Sequence, residues 1–275
     1  MKGNITIRRV EANDEYLACL ELQKSTWGEG FVDLASPAIM KVTQRLGGVT
    51  AGAFDRWSKL VGFVFGFTGY RHGEPVHWSD MLAVRPEWRG MGIGKRLKLF
   101  QRQEVMKLGA SVIFWTYDPL EARNANLNLN GLGVLIDEYI ENMYATDEGS
   151  TLRSGLGTDR FVVRWPIADE RVLKTLQGES KPCPEEYSHT PIVNTAIDAG
   201  GKPVPVQSEL PDDAVLRIEI PSSVQDVKER SAQEGYGWRL NTRRAFTHYL
   251  GRDYRIVTFY IDPDTGRCFY VLEQA

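Results

Sequence analysis

The sequence predicts an α/β fold built on a mixed sheet, followed by a smaller C-terminal α+β domain. Three observations carry this expectation. The first half alternates β-rich and amphipathic segments in the order β-α-α-β-β-β-α-β-α-β. Within it, a strand, a glycine-rich turn, a helix and a second strand follow one another, the pattern of a crossover between parallel neighbours. Between Ala168 and Asp213 lie six prolines (182, 184, 191, 203, 205 and 211), which separate this half from a second, shorter run of strands and helices. The expected division is residues 1–168, a surface connector over 169–213, and a domain over 214–275.

Taken in order, Ile5 to Val10 alternates as a short strand. Asn13 or Asp14 can cap a helix to Trp27 with Tyr16, Leu17, Leu20 and Gln23 along one side. After a Gly- and Asp-rich loop, Ser36 and Pro37 open a helix to Leu46. Gly48 to Asp55, Lys59 to Tyr70 and Val76 to Val84 form an antiparallel meander across polar turns. A helix from Gly92 to Leu108 presents Ile93, Leu97, Phe100, Val105 and Leu108, and Ser111 to Tyr117 is the next strand. Asn124, Asn126, Asn128 and Asn130 alternate as in a strand, yet Pro119 before them and Gly131 and Gly133 after them favour a helix over Ala122 to Leu132. Strands near Val134–Tyr144 and Arg160–Trp165 complete this half. Beyond the connector come a strand (Val215–Ile220), helices (Ser223–Glu234 and Arg239–Leu250) and a hairpin (Tyr254–Ile261 with Arg267–Leu272).

With 275 residues, 42% of them hydrophobic, the chain can bury a sizeable core. The 33 basic and 36 acidic residues leave a net charge of -3, so no overall field draws it to nucleic acid or an anionic membrane. The N-terminal stretch lacks the apolar core of a secretory signal, and the longest apolar run, Leu60 to Phe67, is too short for a bilayer. Cys19, Cys183 and Cys268 are scattered, without metal-ligand spacing. A soluble, cytoplasmic protein without a metal is expected.

The segment RPEWRGMGIGKRL, with Gly90, Gly92 and Gly94 ahead of a helix, is the candidate phosphate cradle. Its third glycine falls one residue early for a dinucleotide fingerprint, and Lys95 is followed by Arg96 instead of the hydroxyl of a Walker loop. A strand ending, a Pro86 turn and a helix start remain. Glycines there let an anion approach the free N–H groups and positive end of the helix, with Lys95 and Arg96 adding charge.

The motif Arg89-x-x-Gly92-x-Gly94, the preceding LAVRPEWRG and the element order over residues 5–166 resemble the GNAT superfamily of acyl-CoA-dependent N-acyltransferases. The DPLEARNANLNLNGLG segment looks like a poorly characterised bacterial branch of that superfamily. The resemblance implies acetyl-CoA, or another acyl-CoA, as donor. It implies that the strands carrying Asp80 and Tyr117 splay, and that Leu82 and Val84 pair with pantetheine as in strand addition. Arg89, Gly90, Gly92, Gly94 and Lys95 would hold the pyrophosphate, Asn124 a pantetheine amide, and the Leu82 N–H the thioester oxyanion.

Strand periodicity places Trp78, Asp80, Leu82 and Val84 on one side and His77, Ser79 and Met81 on the other. Asp80 is the best-placed carboxylate for deprotonating an amine, although its ordinary pKa of about 3.9 suits orienting a substrate equally well. His77 reads as structural. The superfamily tyrosine that protonates the departing thiolate would fall at Leu129 and is absent; Tyr117, Asn128 or water could replace it, and Tyr117 could also be core. Arg239, Arg243 and Arg244 read as a solvated helix face or, alternatively, as a grip for a substrate carboxylate, fitting an amino-acid acceptor or a succinyl donor.

The reading is an N-acyltransferase acting on a small-molecule amine by direct attack in a ternary complex. A non-catalytic CoA-binding or regulatory module is the alternative, with a nucleotide-dependent enzyme third. Nucleic acid and membrane are not expected partners, and a homodimer is one arrangement the sequence allows.

Overall fold

The computed structural model describes residues 4–144, 156–179 and 182–275. Along the chain lie β1 (Thr6–Arg9), α1 (Asn13–Trp27), α2 (Pro37–Arg45), β2 (Val49–Phe54), β3 (Leu60–Arg71), β4 (Glu74–Val84), α3 (Ile93–Lys107) and β5 (Val112–Tyr117). They are followed by α4 (Ala122–Ala125), β6 (Leu135–Ile140), β7 (Arg160–Pro166), α5 (Glu170–Gln177), β8 (Thr195–Ile197) and β9 (Pro203–Pro205). The last elements are β10 (Val215–Ile220), α6 (Val224–Arg230), α7 (Ala232–Leu250), β11 (Tyr254–Ile261) and β12 (Cys268–Gln274). This is the mixed α/β class expected, with an additional C-terminal sheet. Two compact units form: described residues 4–115 with 164–169, and 116–144 with 156–163, 170–179 and 182–275.

In the first unit β1 to β4 form an antiparallel meander and β5 joins β4 in parallel. β2 and the first seven residues of β3 are buried on both faces, and on one of them Phe54, Leu60, Phe63 and Phe65 pack with Tyr16, Cys19 and Leu22 of α1 and Met40 of α2. The inward face of α1 thus runs through Tyr16, Cys19, Leu22 and Gln23, and the expected Leu17 is 54% exposed. Neither Asn13 nor Asp14 caps this helix. Ala12 occupies the cap without a side-chain bond, and the Glu15 carboxylate at the third helical position reaches back to accept from the Glu11 and Ala12 N–H groups, the reciprocal half of a capping box. Ser36 caps α2 as expected, accepting from the Ile39 N–H.

The inward face of α3 also departs from its apolar stripe. Lys98, Gln101 and Glu104 are buried beside Ile93, Leu97 and Val105, whereas Leu108 is 40% exposed. Each of these side chains has a partner supplied from elsewhere in the unit: Lys98 has Ser79, Gln101 has His77 through its amide nitrogen, and Glu104 has Arg9 of β1. At the C-terminal side of the unit, Trp165 meets Trp115 edge-on and Ile167 donates its N–H to the Ser111 carbonyl.

The second unit is organised around aromatic side chains. Phe161 of β7 touches the rings of Tyr117, Tyr139, Phe246 and Tyr270, and Phe259 stacks tilted on Tyr270. β12 lies between β10 and β11 in an antiparallel sheet. The asparagine-rich segment continues α4 as a π-helical turn over Asn126–Leu132, ended by Gly133 in the left-handed region at φ 71°. The alternation of asparagines is therefore not a strand, as expected.

Two helix boundaries differ from the sequence reading. Ser231, extended at φ -158°, ends α6 and caps α7 by accepting from the Glu234 N–H, so α7 starts seven residues before Arg239. The expected connector also carries structure: α5 buries Val172 and Thr175, and β8 pairs with β9. Asn194 fixes this stretch by donating to the Glu219 carbonyl and accepting from the Glu219 N–H. Proline spacing alone does not reveal such side-chain pairing across 25 residues.

Among the described residues, no helix is long and apolar enough to cross a membrane. No group of three or more His, Cys, Asp or Glu among them could hold a metal ion.

Candidate active site

Where β4 and β5 part, the end of β4 continues outside the parallel ladder. Their parallel ladder comprises three pairs, Val76–Val112, His77–Ile113 and Trp78–Phe114, after which β4 runs on from Ser79 to Val84 beyond it. On its other side β4 stays paired to β3 throughout, but the register shifts: Gly66 faces Ser79 and Phe65 faces Met81, so Asp80 is a bulged residue. The bulge reverses which face each side chain takes. His77 and Ser79 reach Gln101 and Lys98 of α3, whereas Met81 and Ala83 join the core on the α1 side. Trp78, Asp80, Leu82 and Val84 therefore do not share one face, contrary to unbroken strand periodicity; an extra residue flips the alternation.

The main chain of this stretch has a defined direction. Arg85 donates its N–H to the Val61 carbonyl, which makes 85 and 61 a hydrogen-bonded antiparallel pair. By alternation Ala83–Phe63 and Met81–Phe65 are hydrogen-bonded pairs too, and Leu82 and Val84 turn their N–H and C=O groups away from β3. They face the edge that the β5 ladder leaves after Trp78. Leu82 and Val84 are half-buried and Asp80 is exposed.

Beyond Val84, Pro86–Trp88 make a single 3₁₀ turn, and the Arg89 Nε donates to the Val84 carbonyl at 3.1 Å. Gly90 and Gly92 both hold positive φ, 76° and 71°, and Gly92 is the N-cap of α3. A Cβ added at either would meet nothing within 4 Å, so these positions border open space. The first turn of α3 presents the N–H groups of Ile93, Gly94 and Lys95 without intrahelical acceptors, while Arg96 begins the helical ladder by donating to Gly92. Lys95 is half-buried; Arg96, expected to add charge here, instead sends its guanidinium to the Ile5 carbonyl. Open backbone at two left-handed glycines, unspent N–H groups and a positive helix end together fit a diphosphate.

Beneath β4 lies a row of buried polar groups that the sequence did not single out, apart from His77. Thr68 donates to the Gly47 carbonyl, so the His77 Nδ1–H must donate to Thr68, and its Nε2 accepts from the Gln101 amide at 3.1 Å. Burial, and then the nearby Lys98, push the imidazole down to about 3, which makes it a neutral structural group. Burial also holds the Lys98 amine well below the ordinary lysine range.

The remaining candidates lie in the second unit. Tyr117 is buried and donates to the Tyr270 hydroxyl, whose own proton goes to the Pro119 carbonyl; burial raises the Tyr117 pKa. This is the core setting that the sequence held open for it. Asn124 is exposed on α4, and Asn128 and Leu129 are buried in the π-helical turn. Two of the three arginines of α7, Arg239 and Arg243, are not part of a solvated face. Arg239 is 1% exposed and binds Asp118 and the Leu156 carbonyl, and Arg243 binds the buried Asp159, which also accepts from Tyr139. Arg244 is exposed and donates to the Ser208 carbonyl. Their acceptors are distant in sequence, so no local signal reveals them.

Residues 13–128 match the Acetyltransferase (GNAT) family. No curated protein matches the chain. Among solved structures the chain is similar to a chain of the NatC complex bound to Gag peptide and CoA, at 16% identity and a TM-score of 0.48, covering 59% of this chain and 98% of that one. It is similar to an N-acetyltransferase from Staphylococcus aureus at 13% identity and a TM-score of 0.47, covering 60% and 99%. An acetyltransferase of the GNAT family from Streptococcus pneumoniae aligns at 15% identity and a TM-score of 0.45, covering 58% and 98%.

Proposed function

We propose, from the membership of residues 13–128 in the GNAT acetyltransferase family, that the chain moves an acetyl group from acetyl-CoA to the primary amine of a small molecule. The observation that carries the proposal is the early end of the β4–β5 ladder. Past Trp78, the main-chain groups of Leu82 and Val84 face an edge that leads to the glycine turn and the start of α3. An extended chain with amides and a diphosphate at one end matches that edge in shape and polarity.

Acyl-CoA supplies an activated thioester, and this chain's residues bind and polarise it. The N–H groups after Gly92, with Arg89 and Lys95, hold the diphosphate. The Val84 and Leu82 backbone aligns the pantetheine amides, and the Leu82 N–H stabilises the negative charge that builds on the thioester oxygen during attack. Asp80, displaced from the ladder by the bulge and exposed, accepts the amine proton directly or through a water. A thiol ionises far more readily than an alcohol, so departure of the thiolate needs no dedicated acid, and the buried Tyr117 is not required for it. A protein of this kind works in the cytoplasm, where acetyl-CoA is available.

The acceptor is proposed as a primary amine without a carboxylate requirement, since Arg239 and Arg243 are engaged by Asp118 and Asp159. A second reading, a CoA-binding regulatory module without turnover, follows if the thiolate does need an acid, which neither the core Tyr117 nor Leu129 supplies. Free-thiol release from acetyl-CoA across small amines and peptide N-termini tests both. Turnover on small amines supports the enzyme, turnover confined to peptides moves the acceptor class, and CoA binding without turnover supports the module. An Asp80→Asn variant that keeps the wild-type pH–rate profile would remove Asp80 from the proton path.

A further inference from the structure

The fork between β4 and β5 contains a charged-type side chain where a packing residue would suffice. Lys98 of α3 is 3% exposed. Its Nζ donates to the Ser79 Oγ at 2.7 Å and sits 3.6 Å from the centroid of the Trp115 ring. Ser79 and Trp115 are the residues immediately after Trp78 and Phe114, the last pair of the parallel ladder. Ser79 also marks the register shift that displaces Asp80. One amine thus ties the two strands at the step where they stop pairing with each other.

Desolvating an amine costs free energy that a methionine of similar length would avoid. The lysine must therefore be understood by the geometry it fixes. A hydrogen bond to the Ser79 hydroxyl is directional, and contact with the Trp115 ring face sets a distance, so together they define how far β4 stands from β5.

We propose that Lys98 is a positioning residue for the acyl-CoA arm: by bridging Ser79 of β4 and Trp115 of β5 it sets the width of the fork that pantetheine enters and the position of the Leu82 N–H. The inference rests on the acyl-CoA reading above. It separates two parts of donor recognition, a diphosphate cradle at Gly90–Lys95 that does not depend on Lys98 and a pantetheine fork that does.

Calorimetric titration of Lys98→Met and Ser79→Ala with CoA and with adenosine 3′-phosphate 5′-diphosphate, which has the diphosphate but no pantetheine, tests this. CoA affinity is expected to fall about tenfold in each variant, with the shorter ligand within about twofold of wild type. Because both changes break the same bridge, the double variant should lose little more than either single one. Unchanged CoA affinity, or an equal loss for both ligands, would overturn the proposal, the second result marking a merely structural role. Should Lys98→Met fail to fold, Ser79→Ala, which removes one hydroxyl, carries the comparison. Wild-type protein that binds neither ligand would instead overturn the acyl-CoA reading on which the inference stands.

Discussion

His77 should make the protein acid-sensitive from pH 6.5 downward, a window that opens above the usual range for carboxylates. Folded, its imidazole is held neutral, down to about 3 from an ordinary value of 6.5, chiefly by burial. The sign follows from the unfolded chain. Below pH 6.5 the unfolded state takes up a proton that the folded state refuses, so stability is complete above that pH and is lost as pH falls toward 3. Each pH unit in the window is worth at most about 1.4 kcal/mol, so between pH 6.5 and 4.5 the loss is about 2 to 3 kcal/mol. The bonding pattern explains the resistance: the Nε2 that would gain the proton already accepts from the Gln101 amide. Rotation of that amide, whose Oε1 is buried without a partner, would offer an acceptor and soften the loss. Urea unfolding at pH 7 and 4.5 of wild type and His77→Gln provides the measurement. The variant removes this proton uptake and keeps every carboxylate, so it should lose about 2 kcal/mol less than wild type on acidification. Parallel losses, or a His77 ring resonance that titrates near 6.5, would refute the reasoning.

The glycines give sharper tests. Gly92→Val places a branched side chain at φ 71° and should lower stability by about 1 to 2 kcal/mol, whereas Gly92→Asn, which tolerates that conformation, should not; both should weaken CoA binding in titration calorimetry because each side chain fills the open cradle. At Gly66 an added Cβ would stand 2.4 Å from the His77 Nε2 and 2.5 Å from the Trp78 carbonyl, so Gly66→Ala should cost at least about 2 kcal/mol in a denaturation measurement. Native protein should react with a thiol reagent at Cys183 alone, since Cys19 and Cys268 are buried with thiols pushed up to about 12 and about 11; mass spectrometry after labelling at pH 8 should find one adduct, rising to three in urea.

Local order was legible in the chain. Ser36 with Pro37, the polar turns of the meander, and three glycines ahead of an amphipathic stretch each specify a conformation within a few residues, and the structure has them. Register was not. The one-residue shift at Asp80 arises from how Phe65 and Gly66 meet Met81 and Ser79, and nothing in the alternation of His77 to Val84 announces it. Buried polar side chains were missed for a related reason. Lys98, Glu104 and Arg239 look like solvent-facing residues until Ser79, Arg9 and Asp118 are brought to them from 19, 95 and 121 residues away. Sequence periodicity reports what a segment could bury, while a partner across the fold decides what it does bury.

The return of residues 164–169 to the first unit has a consequence for synthesis. Trp165 and Ile167 close onto Trp115 and Ser111 only after some fifty further residues have been made. During translation the meander and α3 can assemble, but β5 waits with the Trp165 side of Trp115 uncovered until that stretch leaves the ribosome. A nascent chain stalled near residue 160 would therefore expose this tryptophan to chaperones, and one stalled near residue 210 would not.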